Sequence, residues 1–283
     1  MSLRKILCYY GRDPLSVFLL VAVWGAALVT FMTLAFLLFY ILWQGLPNIT
    51  PDIFALEYNT KNVSLFPALL DTVIMVLLAL AMATPLGVFA AIYLVEYAKR
   101  GNKIVGAVRV TADTLAGIPS IVYGLFGMLF FVTYLKMGLS LLSGACTVAI
   151  MILPLIMRTT EEALQAVPDS FREGSYGLGA GKLRTVFRIV LPSAVPGILA
   201  GVILGIGRIV GETAALIYTS GTVAALPENI LSSGRTLAVH MYVLASEGLY
   251  MKQAYATAVV LVIIVVLINA ASSYIARKFM KGI

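Results

Sequence analysis

Two residues able to do chemistry stand together in a long apolar stretch of the sequence. Arg208 and Glu212 are the charged residues of an otherwise uncharged run at about 194–220. In a bilayer such charges are costly, and they usually face a protein interior or a watery path. Arginine presents a fork of donors that matches the geometry of an oxyanion, so these residue types point to the binding or passage of an anion.

The spacing of the two charges predicts that they share one face of a helix. Residues four apart lie one turn above each other, and the same face carries Gly201 and Gly205, with Gly197 beside them. Small residues let another helix approach closely, so this face is expected to pack on protein. Two interpretations stay open: a pair that neutralises itself, or an Arg208 that lines an anion path while Glu212 keeps binding brief.

Arg158 is a second candidate for contact with an anion. It ends the fourth apolar run, just before the adjacent acidic residues Glu161 and Glu162. A basic residue at such a helix end is ordinarily a membrane anchor. The alternative is an exit station for the same anion, and the sequence leaves both interpretations open.

Metal-dependent or nucleophilic chemistry is not indicated by this sequence. A membrane-embedded enzyme needs a nucleophile with a base, or clustered histidine and acidic residues. The chain has one histidine, His240, and its two cysteines, Cys8 and Cys146, share no motif. We therefore expect no catalytic residue, no metal site and no cofactor on this chain.

The composition places these residues in a membrane protein. Of 283 residues, 61% are hydrophobic and 12% are charged, against about 25% charged in an ordinary soluble domain. The net charge of +7 does not indicate nucleic-acid binding, because the basic residues lie at the ends of the apolar runs. A helix needs about 20 apolar residues to cross the hydrocarbon core. The sequence predicts an all-α integral membrane protein of six transmembrane helices, at about 16–43, 65–95, 110–134, 139–157, 194–220 and 253–275.

Lysine and arginine are distributed unequally between the two sides of the membrane. Fifteen fall on the side of both termini and four on the other, with Arg208 inside a span. Because cytoplasmic segments carry the excess of basic residues, we expect a multi-pass protein of the cytoplasmic (inner) membrane with both termini in the cytoplasm. In the last outer loop, residues 235–244 are expected to form a helix that lies on the membrane surface or dips into it.

The cytoplasmic loop at about 158–193 has helix signals of its own. Pro168 breaks the helix that continues out of the fourth span. Ser170 stands three residues before Glu173, which is the spacing of a capping box and predicts a short helix over 171–178. A second helix over 183–190 is expected to lead to Pro192. On these signals alone, the loop is equally well interpreted as a solvated amphipathic connector.

The same loop resembles a conserved loop of importer permeases in the ATP-binding-cassette (ABC) superfamily. That loop reads Glu-Ala-Ala, three residues, Gly, nine residues, Ile-x-Leu-Pro, and the spacing here fits at every step. The matching residues are Glu173, Gly174, Ser175, Gly179, Ile189, Leu191 and Pro192. Two small residues replace the two alanines of the pattern. The resemblance implies that the loop helix docks on an ATPase subunit and couples ATP hydrolysis to the spans.

Three further stretches resemble the PstA family of phosphate-importer permeases. They are residues 114–126, residues 157–168 and the run Gly207-Arg-Ile-Val-Gly-Glu-Thr in the fifth span. The resemblance covers the chain from about residue 65 onward. It implies a MetI-like permease core of five helices, spans two to six, within residues 65–283, after an N-terminal unit of residues 1–64. It also implies that Arg208, with Glu212 beside it and Arg158 on the fourth span, contacts phosphate.

The partners follow from the same resemblance. It implies a second permease (PstC-like), an ATPase subunit (PstB-like) that carries ATP and Mg, and an extracytoplasmic phosphate-binding protein (PstS-like). The expected function is the permease subunit of an ATP-driven phosphate importer that works by alternating access. A permease for sulfate, molybdate or phosphonate, or a sensory membrane scaffold, stays open, because one arginine per permease does not separate these oxyanions.

Overall fold

The computed structural model describes residues 14–99 and 101–280, and this part of the chain contains helices and turns without strands. Five helices are long and apolar enough to cross a membrane, and a bent pair adds a sixth crossing when it is counted as one span. This confirms the predicted all-α membrane fold. Outside the described residues lie Cys8 and the basic residues Arg4, Lys5, Arg12, Arg100 and Lys281.

The predicted spans can be compared with the helices one by one. In chain order the helices are α1 (Pro14–Gly45), α2 (Phe66–Ile92), α3 (Lys103–Ala116), α4 (Ser120–Gly127), α5 (Leu141–Gln165), α6 (Asp169–Gly177), α7 (Lys182–Thr185), α8 (Leu191–Val210), α9 (Ala214–Thr219), α10 (Leu237–Glu247) and α11 (Met251–Met280). Wider π-helical turns extend α2 over Tyr93–Tyr97, extend α4 over Met128–Tyr134 and join α7 to α8 over Val186–Val190. Four predicted spans coincide with α1, α2, α5 and α11 apart from their ends.

The third predicted span is not one continuous helix. α3 begins earlier than predicted, where the Asn102 side chain accepts a hydrogen bond from the Ile104 amide at 2.9 Å. The chain then bends by 100° before α4. The residue before a proline is disfavoured in helical conformation, so Pro119, which directly precedes α4, ends the first helix and starts the second.

The fifth predicted span begins too late in the sequence. The observed helix starts at Lys182, because α7 runs through Val186–Val190 into α8 as one helical unit. A proline inside an α-helix clashes with the carbonyl group four residues earlier. Here a π-helical turn over Val186–Val190 comes just before Pro192, which stands in the first turn of α8. The helix continues through Pro192, where the sequence predicted a separate helix over 183–190 and a span that begins at about residue 194.

α5 is the centre of the bundle, with 67% of its most apolar stretch buried. It packs on α2 at small residues: a methyl group added at Gly87 would lie 2.9 Å from the Ile156 side chain, and one at Gly144 would lie 2.9 Å from Met75. Such small residues let membrane helices approach closely. In contrast, none of the apolar stretch of α1 is buried, as expected for a helix that faces lipid.

The predicted helix of the last outer loop is partly buried in the protein. It is observed as α10, and its first four residues and Leu244 are buried. α10 packs on α11 and α2, and the backbone amide of Leu237 donates a hydrogen bond to the Thr72 hydroxyl at 2.9 Å. This loop is therefore a packed part of the bundle.

Candidate functional site

A break in the fifth predicted span separates the two charged residues Arg208 and Glu212. α8 ends at Val210, and Glu212 lies in the three residues before α9. Its Oε1 accepts a hydrogen bond from the backbone amide of Ala215 at 3.0 Å, which satisfies an amide in the first turn of α9. The prediction that the two charges share one face of a continuous helix is therefore wrong.

Arg208 and Glu212 do not form an ion pair either. Among the described residues, no carboxylate lies within 4.0 Å of the Arg208 guanidinium. Glu212 is 8% exposed and is engaged by α9, so the interpretation of a self-neutralising pair is wrong. Arg208 is half-buried in the last turn of α8, where the helix dipole favours positive charge.

The bend between α3 and α4 lies close to this break. The Tyr123 hydroxyl of α4 donates a hydrogen bond to the Leu115 carbonyl of α3 at 2.8 Å. α4 also touches α9, because a methyl group added at Gly124 would lie 2.8 Å from the Ala215 Cα. Irregular backbone at membrane depth is tolerated where it is buried in protein or lines a watery path. In many transporters, broken helices form the substrate site.

The glycines of α8 lie along the central helix α5. A methyl group added at Gly197 would lie 2.6 Å from Ala163, and one at Gly201 would overlap Thr159. Gly205 is buried beside the same helix. These contacts leave no room for larger residues at positions 197 and 201, so they set how closely α8, and with it Arg208, approaches α5.

Arg158 is held by carboxylates on two helices. Its Nη1 lies 2.6 Å from Asp113 on α3, and its Nε lies 3.2 Å from Glu162 on its own helix. A neighbouring pair, Arg109 and Glu161 at 2.5 Å, joins the same two helices. The charge of Arg158 is thus balanced locally, in contrast to that of Arg208.

The predicted loop helix is observed as α6, without the predicted capping box. α6 starts at Asp169 after Pro168, and no side chain caps its first amides. Ser170 therefore lies inside the first turn, two positions beyond the cap position, which Pro168 occupies. Asp169 provides the negative charge that the start of a helix favours, and Glu173 is exposed.

The small residues of the loop motif have separate structural reasons. Ser175 is 5% exposed, and its hydroxyl lies 2.8 Å from that of Thr185 on α7, so this position needs a small side chain. Gly174 has open space around it. Gly179 has a φ of +80°, which favours glycine, and lies just beyond the end of α6. The remaining motif residues, Ile189, Leu191 and Pro192, lie where α7 runs into α8.

The family of this chain is shown by its match to known proteins. Residues 83–283 match the family model described as binding-protein-dependent transport system inner membrane component. The chain belongs to this family. Such permeases are multi-pass inner membrane proteins that work with an ATPase, another permease and a binding protein. The permease itself is not catalytic and binds no cofactor, and ATP binds to the partner ATPase.

Several curated relatives are similar over most of the permease. It is 34% identical over 221 residues to the probable ABC transporter permease protein YqgI of Bacillus subtilis (strain 168), covering 72% of this chain and 74% of that protein. It is 34% identical over 230 residues to the phosphate transport system permease protein PstA of Xylella fastidiosa (strain 9a5c), covering 80% of each. It is also 34% identical over 213 residues to PstA 1 of Mycobacterium tuberculosis (strain ATCC 25618 / H37Rv), covering 74% of this chain and 68% of that protein.

Solved structures show the same fold. A chain of a bacterial alginate ABC transporter in complex with an alginate-bound periplasmic protein matches with a TM-score of 0.70 at 15% identity, covering 98% of the permease and 99% of that chain. A chain of the MetNI methionine ABC transporter matches with a TM-score of 0.59 at 21% identity, covering 76% of the permease and 94% of that chain. These likenesses concern the fold alone.

One buried ion pair of the permease was not predicted from the sequence. Arg172 of α6 lies 2.7 Å from Glu96, in the π-helical turn after α2, and the two side chains are 14% and 5% exposed. Arg172 was counted only among the basic residues of a cytoplasmic loop. One signal was available, because Glu96 follows directly on the uncharged run of the second span.

A second group of buried polar residues lies near the other end of α2, and its role was also missed. This opposite-end cluster consists of Asp71, Arg235, Thr236 and His240, each at most 4% exposed. The Arg235 guanidinium lies over the Tyr58 ring, 4.9 Å from its centre. Among the described residues, the side-chain Nε and Nη2 of Arg235 and both ring nitrogens of His240 have no hydrogen-bond partner. A signal was available here too, because Asp71 lies within the second predicted span.

Proposed function

We propose that this chain is the PstA-like permease subunit of an ATP-driven phosphate importer, and that Arg208 contacts the anion during its passage. The proposed substrate is supported by relatives named as phosphate transport system permease proteins. The proposed residue is supported by one observation above all: Arg208 has no acidic partner among the described residues, although it stands at a broken span.

A half-buried arginine without a carboxylate suits a transient anion site. Passage requires binding that is weak enough for release. The carbonyl end of α8 carries partial negative charge, which offsets part of the charge of Arg208 and shortens the stay of an anion there. Because Glu212 is bonded to Ala215, its proposed role is to hold the break in which Arg208 lies, instead of competing for the guanidinium.

Arg158 is proposed as an anchor between helices instead of an exit station. An anion at Arg158 meets Asp113 and Glu162, which lie 2.6 Å and 3.2 Å from its guanidinium in ion pairs that are more than half exposed. Both carboxylates repel it. Between the two interpretations left open by the sequence, this pairing favours the anchor.

The proposed partners are a PstC-like permease, a PstB-like ATPase and a PstS-like phosphate-binding protein. α6 presents large exposed side chains, Phe171, Tyr176 and Leu178, in and just after the helix, and Leu178 is 91% exposed. This apolar surface is the proposed docking site of the ATPase, on the cytoplasmic side. ATP binding then moves α6, and the bundle opens alternately toward the binding protein and toward the cytoplasm.

Replacement of Arg208 tests the proposal most directly. In the permease co-purified with its partners and reconstituted in liposomes, Arg208→Gln is expected to lower ATP-dependent uptake of labelled phosphate by about 10-fold or more, which corresponds to about 1.4 kcal/mol of lost anion stabilisation. Arg208→Lys keeps the charge without the donor fork, so it is expected to retain an intermediate rate. Unchanged uptake in Arg208→Gln, with the complex assembled, removes Arg208 from the path.

Two controls test the role of Arg208 and the identity of the transported anion separately. Lys136→Gln removes a charge from the connection between α4 and α5 and is expected to change uptake by no more than about twofold, as for an ordinary surface substitution. Competition by sulfate and molybdate against labelled phosphate tests the anion itself. If another oxyanion competes better than phosphate does, the permease function stands and phosphate is discarded.

A further inference from the structure

α6 is attached to the bundle at two points. Toward its start, Arg172 reaches Glu96 after α2. Toward its end, the Ser175 hydroxyl lies 2.8 Å from that of Thr185 on α7. α7 continues into α8, the helix that carries Arg208. A displacement of α6 therefore acts directly on more than one membrane span.

The guanidinium of Arg172 uses all three of its nitrogens. Nη2 and Nε donate hydrogen bonds to Oε1 of Glu96 at 2.7 and 3.1 Å. Nη2 also donates to the Leu164 carbonyl at 2.9 Å, and Nη1 donates to the Val167 carbonyl at 2.8 Å. A further bond of 3.2 Å joins Nη1 to the Asp169 carboxylate. One side chain thus ties α6 to the end of α2 and to the end of α5.

Of the hydrogen bonds that Arg172 makes to carboxylates, those to Glu96 are stronger than the one to Asp169, because Glu96 is buried. The Glu96 side chain is 5% exposed, whereas that of Asp169 is 74% exposed. Removing one partner of a buried, hydrogen-bonded ion pair is strongly unfavourable because it leaves a buried charge unpaired. An exposed pair contributes little. The Arg172–Glu96 contact therefore resists separation when α6 is pulled or pushed.

We propose that Arg172 is a positioning residue that makes α6 move as one body with the ends of α2 and α5. This inference rests on the proposed function, in which α6 receives the motion of the ATPase. Without the link, a displacement of α6 is absorbed by the turn at residues 166–168 that joins it to α5. Breaking the link is therefore expected to leave ATP hydrolysis in place and to lose transport.

Glu96→Gln tests the inference with little change of shape, because glutamine still accepts a hydrogen bond but carries no charge. We expect the ATPase subunit to co-purify and to hydrolyse ATP within about threefold of the parent rate, while the substrate moved per ATP falls by about 10-fold or more. Arg172→Met is expected to do the same. The double variant is expected to be no worse than either single one, since both remove the same link. Asp169→Asn, the matched control at the exposed partner of Arg172, is expected to change neither quantity by more than about twofold.

A second measurement does not depend on the substrate. Spin labels at Lys61 and Tyr134, both exposed, report the distance across the face opposite α6. In the parent complex this distance is expected to change when a non-hydrolysable ATP analogue binds, and Glu96→Gln is expected to lose most of that change. If the parent complex takes up no oxyanion, the proposed substrate fails while the labels still decide the role of Arg172. An unchanged distance response and unchanged transport per ATP in Glu96→Gln, or loss of the ATPase on purification, would overturn the inference.

Discussion

Each end of α2 has a buried carboxylate, and the two carboxylates differ in their hydrogen-bond partners. Glu96, just after α2, accepts charged hydrogen bonds from Arg172 at 2.7 and 3.1 Å. Asp71, in the first turns of α2, is fully buried, and neither of its oxygens has a hydrogen bond of full geometry among the described residues. The backbone amide of Arg235 acts on Asp71, but the guanidinium of that residue lies over Tyr58 instead.

This difference shows that a buried charged residue does not always form a contact that resists movement between helices. A buried pair whose donors and acceptors are all satisfied loses free energy when its partners separate. A buried group without full partners has little to lose from rearrangement, and some changes to it relieve the cost of its burial. We therefore expect the Glu96 end of α2 to be stiff toward α6 and the Asp71 end to respond mainly to changes of volume and charge.

The largest expected effect is a loss of stability caused by overpacking the opposite-end cluster. A methyl group added at Gly234 would overlap the Asp71 carboxylate, whose carbon would lie 2.8 Å away, and Asp71 is fully buried. Overpacking of this kind costs about 3 kcal/mol at its upper range. Gly234→Ala is therefore expected to lower the midpoint of thermal unfolding of the purified permease strongly.

The matched control for this substitution lies on α6. Gly174 has nothing within 4 Å of an added methyl group, and alanine is favoured over glycine inside a helix by about 1 kcal/mol. Gly174→Ala is expected to leave the unfolding midpoint unchanged or to raise it. Equal tolerance of alanine at the two glycines would contradict the tight contact with Asp71.

The next largest effect is the difference in stability between variants of the two carboxylates. Glu96→Gln is expected to lower the free energy of unfolding by about 1–3 kcal/mol, because it leaves Arg172 buried with a weaker partner. Asp71→Asn replaces a charge without full partners by a neutral amide that is cheaper to bury, so its stability is expected to be equal to or above that of the parent. Thermal unfolding in the same lipid nanodiscs measures both. A loss in Asp71→Asn as large as that in Glu96→Gln would show that Asp71 has a partner of comparable strength.

The local sequence was sufficient to predict most helices of this permease. Uncharged runs of spanning length depend only on neighbouring residues, so α1, α2, α5 and α11 were predicted apart from their ends. The loop motif placed α6 within two residues of its observed start. The bend before Pro119 and the break at residues 211–213 were missed because apolar runs hide interruptions, although Gly117 and Pro119 stand at the bend and Gly211 at the break.

The buried ion pair of Arg172 and Glu96 could not be predicted from local patterns. Glu96 and Arg172 are 76 positions apart. Their contact depends on the end of α2, the end of α5 and the start of α6 lying close together. The spacing of Arg208 and Glu212 predicted one shared helical face, and left a pair open, because a continuous helix was assumed. Because the helix breaks at Gly211, a spacing of four residues no longer places the two side chains on one face. The Glu212 carboxylate accepts a hydrogen bond from the Ala215 amide instead.

The smallest expected effect is a dependence of stability on pH that originates in the opposite-end cluster. Burial, and secondarily the nearby charge of Arg235, lowers the pKa of His240 to about 3, against about 6.5 in an unfolded chain. Below pH 6.5 the unfolded state therefore binds a proton that the folded state does not, and stability falls as the pH falls, by about 1 kcal/mol between pH 6.5 and 5.5. His240 is the one histidine of the chain, so His240→Gln is expected to remove this contribution, whereas Glu96→Gln is expected to leave it in place. Thermal unfolding at several pH values measures the slope, and an equal slope in the parent and in His240→Gln would show that His240 is protonated in the folded permease.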